Sequence, residues 1–409
     1  MVCYDKSMTI KAGVIVTVNV GSSSIKVVAF TNSESSEVRT RLVDMSISNI
    51  GQPLSILQIM QPGELMQAEE MQVPDHMAGA QLITKRLADF VPMNEILAVG
   101  HRLVHGGVKY FDLTPINKIS DADWHLLTRL DPEHTPSARQ LITQFSQAIP
   151  SALQVACFDT AFFQDLPYIA KIVPIPKEYY KMGVRRYGFH GLSYISLLKT
   201  FREKAGETAV NGRVILAHLG SGVSVTATRF GKPIDTTMGF TPTSGTAMST
   251  RTGDLDPHVF SFLRDQTHMS LEEFEQMVSF KSGLLGVSGV SGDMHTLLGM
   301  ESKNDDAKAA IELFVRDIKK SIGALSATLG GIDSLIFSGG IGEQSSLLRT
   351  RICQSLEYLG IEINDATNRQ NDFLISSKQS KVGIHVISTD EAQVIATQTA
   401  EFLNASGKV

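Results

Sequence analysis

One pattern occurs twice in this sequence: an apolar strand runs into a Gly/Ser turn and out into a second apolar strand. The first copy is Val14-Ile-Val-Thr-Val-Asn19-Val-Gly21-Ser22-Ser23-Ser24-Ile-Lys26, continuing through Val27 to Phe30. The second is Val214-Ile-Leu-Ala-His218-Leu219-Gly220-Ser221-Gly222-Val-Ser224-Val, continuing to Phe230. A related stretch, Leu335-Ile-Phe-Ser-Gly339-Gly340-Ile341-Gly342-Glu343, keeps the strand and the glycines but leads into a helix. Such turns expose backbone N–H groups that hold phosphate oxygens, because small residues let the main chain approach. A pattern used twice predicts a duplicated α/β domain with a phosphate-bearing ligand held between the halves. A nucleotide is the first candidate.

A chain of 409 residues has room for two domains, each with its own core. Hydrophobic residues at 43% and charged residues at 19% are those of an ordinary globular chain, and a net charge of −5 implies no surface for nucleic acid or anionic lipid. Apolar runs are strand-sized, well short of the roughly 20 residues that span a membrane. Met1 to Lys11 lacks a secretory apolar core and reads as an extension before the first strand. Cys3, Cys157 and Cys353 are odd in number and widely spaced, which fits a reducing cytoplasm and no disulfide framework. Cys157, within Val155-Ala-Cys-Phe158, reads as a core thiol.

Buried-type strands are expected at Val14–Val18, Val27–Phe30, Val155–Phe158, Val214–His218, Ser334–Phe337 and Val382–Ile387. Ile311, Phe314, Val315, Ile318, Ile322, Leu325 and Leu329 keep helical spacing until Gly330-Gly331 stops it. Another helix starts after Thr389, taken as its N-cap, and carries Val394, Ile395 and Leu403. Strands alternating with helices predict an α/β fold. The expected division is 12–158 with 391–409 as one domain and 159–390 as the other.

There is no Walker P-loop, no Gly-x-Gly-x-x-Gly between strand and helix, and no zinc spacing. Several clusters remain. His101-Arg102-Leu-Val104-His-Gly-Gly107 puts an arginine between histidines; read alone, Arg102 is a surface or salt-bridged residue. In Arg185-Arg-Tyr-Gly-Phe189-His190-Gly191, a lone His190 would be a structural histidine. Phe158-Asp159-Thr-Ala-Phe162 places a carboxylate past a buried strand, where ligands bind in α/β folds, although a helix cap is the plainer reading. The segment from Asp235 to Pro257, rich in Gly, Thr and Ser and holding Arg251, is too polar for a core and reads as a functional loop.

In this order the clusters, together with Met238-Gly-Phe-Thr-Pro242, Ser282-Gly-Leu-Leu-Gly-x-Ser288 and Gly339-Gly-Ile-Gly-Glu343, closely resemble the acetate kinases. On them the chain is identified as a member of the acetate/propionate kinase family, with the match running from about Val14 onward. The resemblance implies the fold of the actin, hexokinase and heat-shock ATPase superfamily: two ribonuclease-H-like domains around a nucleotide cleft. It also implies transfer of the γ-phosphoryl of ATP to a short carboxylate, giving an acyl phosphate and ADP, with Mg2+ or Mn2+, in a cytoplasmic homodimer.

By the same resemblance, Arg102 and Arg251 hold the acid and the transferring phosphoryl, and His190 donates to the phosphoryl oxygens. Asp159 matches the family's catalytic carboxylate; an acid ionised at pH 7 needs no base, so Asp159 is read as orienting the arginines or the Mg2+ water shell. Asn19 and Glu391 would bind the metal, though Glu391 alone is simply an acid in a helix's first turn. Val104, His134, Phe189 and Pro242 match the acyl pocket. Ser22, Ser24 and Lys26 face phosphates. The nucleotide matches are His218, Leu219, Gly220, Ser221 and Gly222, then Gly340, Ile341, Gly342, Glu343 and Gln344, with Asp293, Met294 and His295 at the adenosine.

The sequence departs from the family pattern at several positions. Glu133 stands for a pocket leucine, and either turns outward or changes the acyl pocket. Tyr194 and Phe163 stand for histidines, Ser221 for an asparagine, His295 for an arginine, and Thr243-Ser244 for Leu-Glu. A propionate kinase is the near alternative, since a methylene changes binding by only about 1–3 kcal/mol. A nucleotide-switched actin-like binding module, or a sugar kinase, would leave the paired arginines without a task.

Overall fold

A computed structural model describes residues 13–32 and 39–405. The expected extension Met1–Lys11, and Cys3 with it, lies outside the described residues. The chain divides into two compact units, Met1–Ala161 with Asp390–Val409 and Phe162–Thr389.

In the first unit, β1 (Val14–Gly21), β2 (Ser24–Thr31), β3 (Arg41–Ser48), β4 (Ser55–Met60), β5 (Gln67–Met71), β6 (Ile96–Leu103), β7 (Thr114–Pro115) and β8 (Leu153–Phe158) form one sheet. Its order is β5-β4-β3-β2-β1-β6-β8-β7. Within it, β3-β2-β1 pair antiparallel and β1-β6-β8 parallel. β1 is apolar on both faces because both are covered. Val14, Val16, Val18 and Val20 pack with Ala80, Ile83 and Leu87 of the helix His76–Leu87. Ile15, with Val28, Phe30 and Ala98, packs instead under Ala396, Ala400 and Leu403 of the helix Glu391–Ala405. Gly100 makes that second contact close: a Cβ there would sit 2.3 Å from Thr399 Oγ1 and 2.6 Å from Ile395 Cγ2.

In the second unit, β9 (Arg213–Leu219), β10 (Val223–Arg229), β11 (Lys232–Thr236), β12 (Ser334–Ser338) and β13 (Gly383–Val386) form a sheet of order β11-β10-β9-β12-β13. Strand for strand this repeats β3-β2-β1-β6-β8, with two antiparallel pairs followed by two parallel ones. The duplicated ribonuclease-H-like fold is therefore present in both units. The expected helix runs Asp305–Leu329, is capped by Asn304, stops at Gly330 with φ 71°, and buries the seven apolar residues read from its spacing.

Three local expectations change. β1 runs on through Asn19 to Gly21 and closes a hairpin with only Ser22 and Ser23 in the turn, Gly21 pairing with Ser24. The last strand is the shorter Gly383–Val386. The cap of the helix Glu391–Ala405 is Asp390, not Thr389: its Oδ1 accepts from Gln393 N at 3.0 Å, and its carboxylate also takes both hydrogen bonds of Arg41 Nη2, at 2.7 and 2.8 Å.

Candidate active site

In the first unit, Asn19 on β1, Arg102 on β6 and Asp159 just past β8 all stand at the C-terminal ends of parallel strands. They share the face covered by the helix Glu391–Ala405, whose first residue joins them. The Arg102 Nε and Nη2 bond to the two Asp159 oxygens at 3.1 and 2.6 Å, and Nη1 donates to Asn19 Oδ1 at 3.0 Å. Asn19 Nδ2 donates to Glu391 Oε2 at 2.9 Å, and that oxygen lies 3.9 Å from Arg102 Nε. The Arg102 side chain is 15% exposed and that of Asp159 0%.

Burial alone would lower the Arg102 pKa, but Asp159 and Glu391 outweigh it and the guanidinium is held above its ordinary value. Burial raises the Asp159 carboxyl, and Arg102 works against that rise. Two acids on one arginine leave the cluster one negative charge in excess, which favours a cation. Asn19 and Glu391 each bring a hard oxygen to the cluster, as suits a Mg2+ that keeps several waters and takes one or two protein ligands, although here Asn19 Oδ1 accepts from Arg102 and its Nδ2 faces Glu391. Among the described residues, no group of three or more histidine, cysteine or acidic side chains is arranged to hold a metal.

Lys26 pairs with Asn19 across the hairpin and so shares its face, yet it is half exposed and 3.9 Å from Asp44. Ser22 and Ser24 are exposed at the turn, and Val104 is buried after β6. His134 lies between two acids: Nδ1 donates to Asp131 Oδ1 at 2.9 Å, and Nε2 is 3.6 Å from Glu133 Oε1. Burial is the largest single influence on the Asp131 carboxyl and would raise it, but the hydrogen bonds from His134 and Thr135 together with the neighbouring histidines outweigh it and hold the pKa low. Glu133 thus turns toward His134 and is mostly buried.

In the second unit, the β9–β10 turn Gly220-Ser221-Gly222 meets His190 and Arg251. A Cβ on Gly222 would lie 3.2 Å from His190 Nε2 and 3.6 Å from Arg251 Nη1. The His190 ring is 4.7 Å, centroid to centroid, from that of His218. His190 opens the helix Gly191–Ala205 in the left-handed region, φ 61°. Before it, Gly188 at φ 74° fits against the Phe163 ring, where a Cβ would come within 2.5 Å. Arg186 is structural, its Nη1 donating to the carbonyls of Thr236, Thr237 and Met238.

The Asp235–Pro257 segment opens in the last two residues of β11 and continues from Thr237 as a loop, and it is tied down. Met248 N bonds to Arg251 O at 3.0 Å, Ser249 N to Ser221 O at 3.1 Å, and Asp254 N to Gly245 O at 2.8 Å. Pro242 is buried, and its carbonyl is 3.5 Å from Arg251 Nη1; Phe189 is buried beside His190. The short helix Gly339–Gln344, a single glycine-rich turn, stands next to β9, with Gly339 at φ 76° against Leu219 O. Leu219 and Met294 bury their side chains, so only their backbones could meet a ligand. Asp293 caps the helix Met294–Met300 by accepting from Thr296 N at 2.8 Å, with His295 in the first turn.

Arg349 escaped the sequence reading. It is fully buried and spends its donors on Gly342 O, Glu343 O, Asn368 O, Asn368 Oδ1 and Asn371 Oδ1, at 2.6 to 2.8 Å. Burial lowers its pKa to about 10. A lone arginine in a helix carries no signal in sequence, and only the fold reveals that it props a glycine turn.

A ribonuclease-H-like fold made twice, with arginines beside strand-end glycine turns, defines a class of enzyme that handles phosphoryl groups. The model of the acetokinase family matches residues 14–397. An acetate kinase from Clostridium botulinum is 39% identical over 398 residues, covering 95% of this chain and 98% of its own length. One from Bacillus cytotoxicus is 37% identical over 397 residues, covering 95% and 99%. Among solved structures, a propionate kinase from Francisella tularensis aligns with TM-score 0.87 at 32% identity, covering 95% and 99%. The acetate kinase of Porphyromonas gingivalis aligns with TM-score 0.83 at 34% identity, covering 96% and 100%. The chain belongs to the acetokinase family, whose members are phosphotransferases with a carboxyl group as acceptor.

Proposed function

We propose that this enzyme reversibly transfers the γ-phosphoryl group of ATP to acetate, giving acetyl phosphate and ADP. The observation that carries this reading is Arg102, held in a fixed plane by Asp159 and Asn19 at the strand ends. A permanently charged fork of this kind binds a carboxylate or phosphoryl oxygens and offsets the repulsion between two reacting anions. The acetate carboxylate is ionised at neutral pH, so Asp159, already engaged by Arg102, serves to orient the guanidinium.

In the second unit, Arg251 and His190 converge on the Gly220–Gly222 turn, where they would donate to the transferring group as its charge spreads. The turns His218–Gly222 and Gly340–Gln344 are assigned to the nucleotide, with Asp293 and His295 toward the adenosine. Ser22, Ser24 and Lys26 are assigned to phosphates, and Val104, His134, Phe189 and Pro242 to the acyl group. Asn19 and Glu391 would hold Mg2+, which when bound neutralises phosphate charge.

We assign the reaction to the cytoplasm, a compartment in which thiols such as Cys157 and Cys353 would stay reduced. A homodimer is also proposed. The helices His258–Thr267 and Leu271–Phe280 bury no residue in the single chain, and Phe262 and Leu271 are exposed. A second copy would cover them, and light scattering reads the mass directly.

The test is hydroxylamine trapping of acyl phosphate from Mg-ATP with formate, acetate, propionate and butyrate in parallel. Acetate ranking first supports the proposal. Propionate ranking first replaces it with the propionate reading that the Francisella structure represents. No product from any acid, with ATP still bound, would reopen the binding-module reading.

A further inference from the structure

Two buried hydroxyls stand in line behind the catalytic candidate of the second unit. The Tyr194 hydroxyl is 2.5 Å from Ser224 Oγ, and Ser224 Oγ is 2.9 Å from His190 Nδ1. Tyr194 and Ser224 are both completely buried. Tyr194 lies one turn into the helix Gly191–Ala205, so it sits beneath His190 at the helix head. Ser224 lies on β10 two residues past Gly222, so it reaches His190 from the strand side. The other imidazole nitrogen, Nε2, faces the Gly222 turn, with the His218 ring and Arg251 about it.

A neutral imidazole carries one proton, and the partner of one nitrogen decides which. Burial pushes the Tyr194 hydroxyl up to about 12, so at neutral pH it is an O–H. The Thr226 hydroxyl also faces Tyr194, and is itself bonded to Thr236 at 2.8 Å. Run in the direction that ends on the imidazole, Tyr194 donates to Ser224 Oγ and the single Ser224 proton is left for Nδ1. Nδ1 then accepts, and the imidazole proton sits on Nε2.

We propose that Tyr194 and Ser224 are positioning residues that hold His190 in its Nε2–H form, presenting a neutral donor to the Gly222 turn. This rests on the reading of His190 as a donor to the transferring phosphoryl group. A donor whose tautomer is set beforehand spends nothing on finding it during the reaction. The left-handed backbone of His190 serves the same end, since it aims the ring at the turn from the head of a fixed helix.

The test combines imidazole 15N spectra with steady-state kinetics. His190→Ala identifies the His190 signals by their loss. The wild-type spectrum is expected to show a protonated Nε2 and a bare Nδ1. Tyr194→Phe keeps the ring packed against Phe162 and Phe163, and Ser224→Ala keeps the strand. Each variant is expected to mix the two tautomers and lower kcat about tenfold. KM for ATP and for the acid should stay within about twofold, because ground-state binding is untouched. A wild-type proton on Nδ1 overturns the proposal, and so do unchanged spectra and kcat in both variants. Full turnover by His190→Ala would overturn the parent reading and with it any catalytic purpose for the relay, whatever tautomer the spectrum shows.

Discussion

At the scale of single residues, arginines carry the proposed transfer chemistry. Replacing Arg102 or Arg251 by Ala is expected to lower turnover on the order of 10²–10³-fold, as loss of preorganised charge does. The trapping assay reads this directly, and near-normal turnover in either variant would remove that arginine from the site. These residues were picked out in sequence through the family resemblance of their ordered clusters; read alone, Arg102 is a surface or salt-bridged residue. The relay was not: Tyr194 stood out only as a departure from the family pattern, and Ser224 as one more alternating strand residue. Their pairing depends on which strand faces which helix, and spacing along the chain does not encode that. Glu133 was left with two orientations, and only the structure shows it turned to His134.

Elements bring these residues together, and two of them can be pried loose. Gly100→Ala would drive a methyl group into Thr399 and Ile395, at a cost of about 1–3 kcal/mol. It would also lift the helix Glu391–Ala405 and draw Glu391 away from Asn19. The Mg2+ concentration for half-maximal activity should rise more than KM for acetate, and titrating both distinguishes this from general damage. Arg349→Met would release the carbonyls of Gly342 and Glu343, loosening the Gly339–Gln344 turn. KM for ATP is expected to rise about tenfold with KM for acetate unchanged; equal rises in both would show that the turn does not serve the nucleotide. Sequence periodicity revealed the strands around both Gly/Ser turns and the long helix, because burial on two faces and a 3.6-residue stripe leave clear patterns. Strands β3, β4, β5, β6, β7 and β11 were missed: polar residues interrupt most of them, so they resemble loops until paired, and β6 runs into Gly-His-Arg, which was read only as a charged cluster.

At the scale of the whole molecule, a buried histidine in each unit resists protonation. Burial lowers His101 in the first unit to about 4, partly offset by its bond to Gln154, and burial lowers His385 in the second to about 4. Both groups bind a proton more weakly folded than unfolded. The stability they contribute is therefore complete above the ordinary value of 6.5 and is lost as pH falls toward 4. The loss is at most about 3 kcal/mol for each. Urea unfolding at pH 7.5 and pH 5 should show the decline, and His101→Gln, which keeps a donor for Gln154, should reduce it. An unchanged midpoint would count against buried neutral histidines.

The helix that closes the first sheet is translated only after the entire second unit. Val14 to Ala161 emerge first, yet the face carrying Ile15, Phe30 and Gly100 stays uncovered until Glu391–Ala405 arrives. The usual order, in which the leading domain folds before the following one, is thus reversed at the last step. A ribosome stalled within the second unit would present an exposed apolar sheet and no complete cluster around Arg102. In a cell, that interval is when chaperones would find the most to hold.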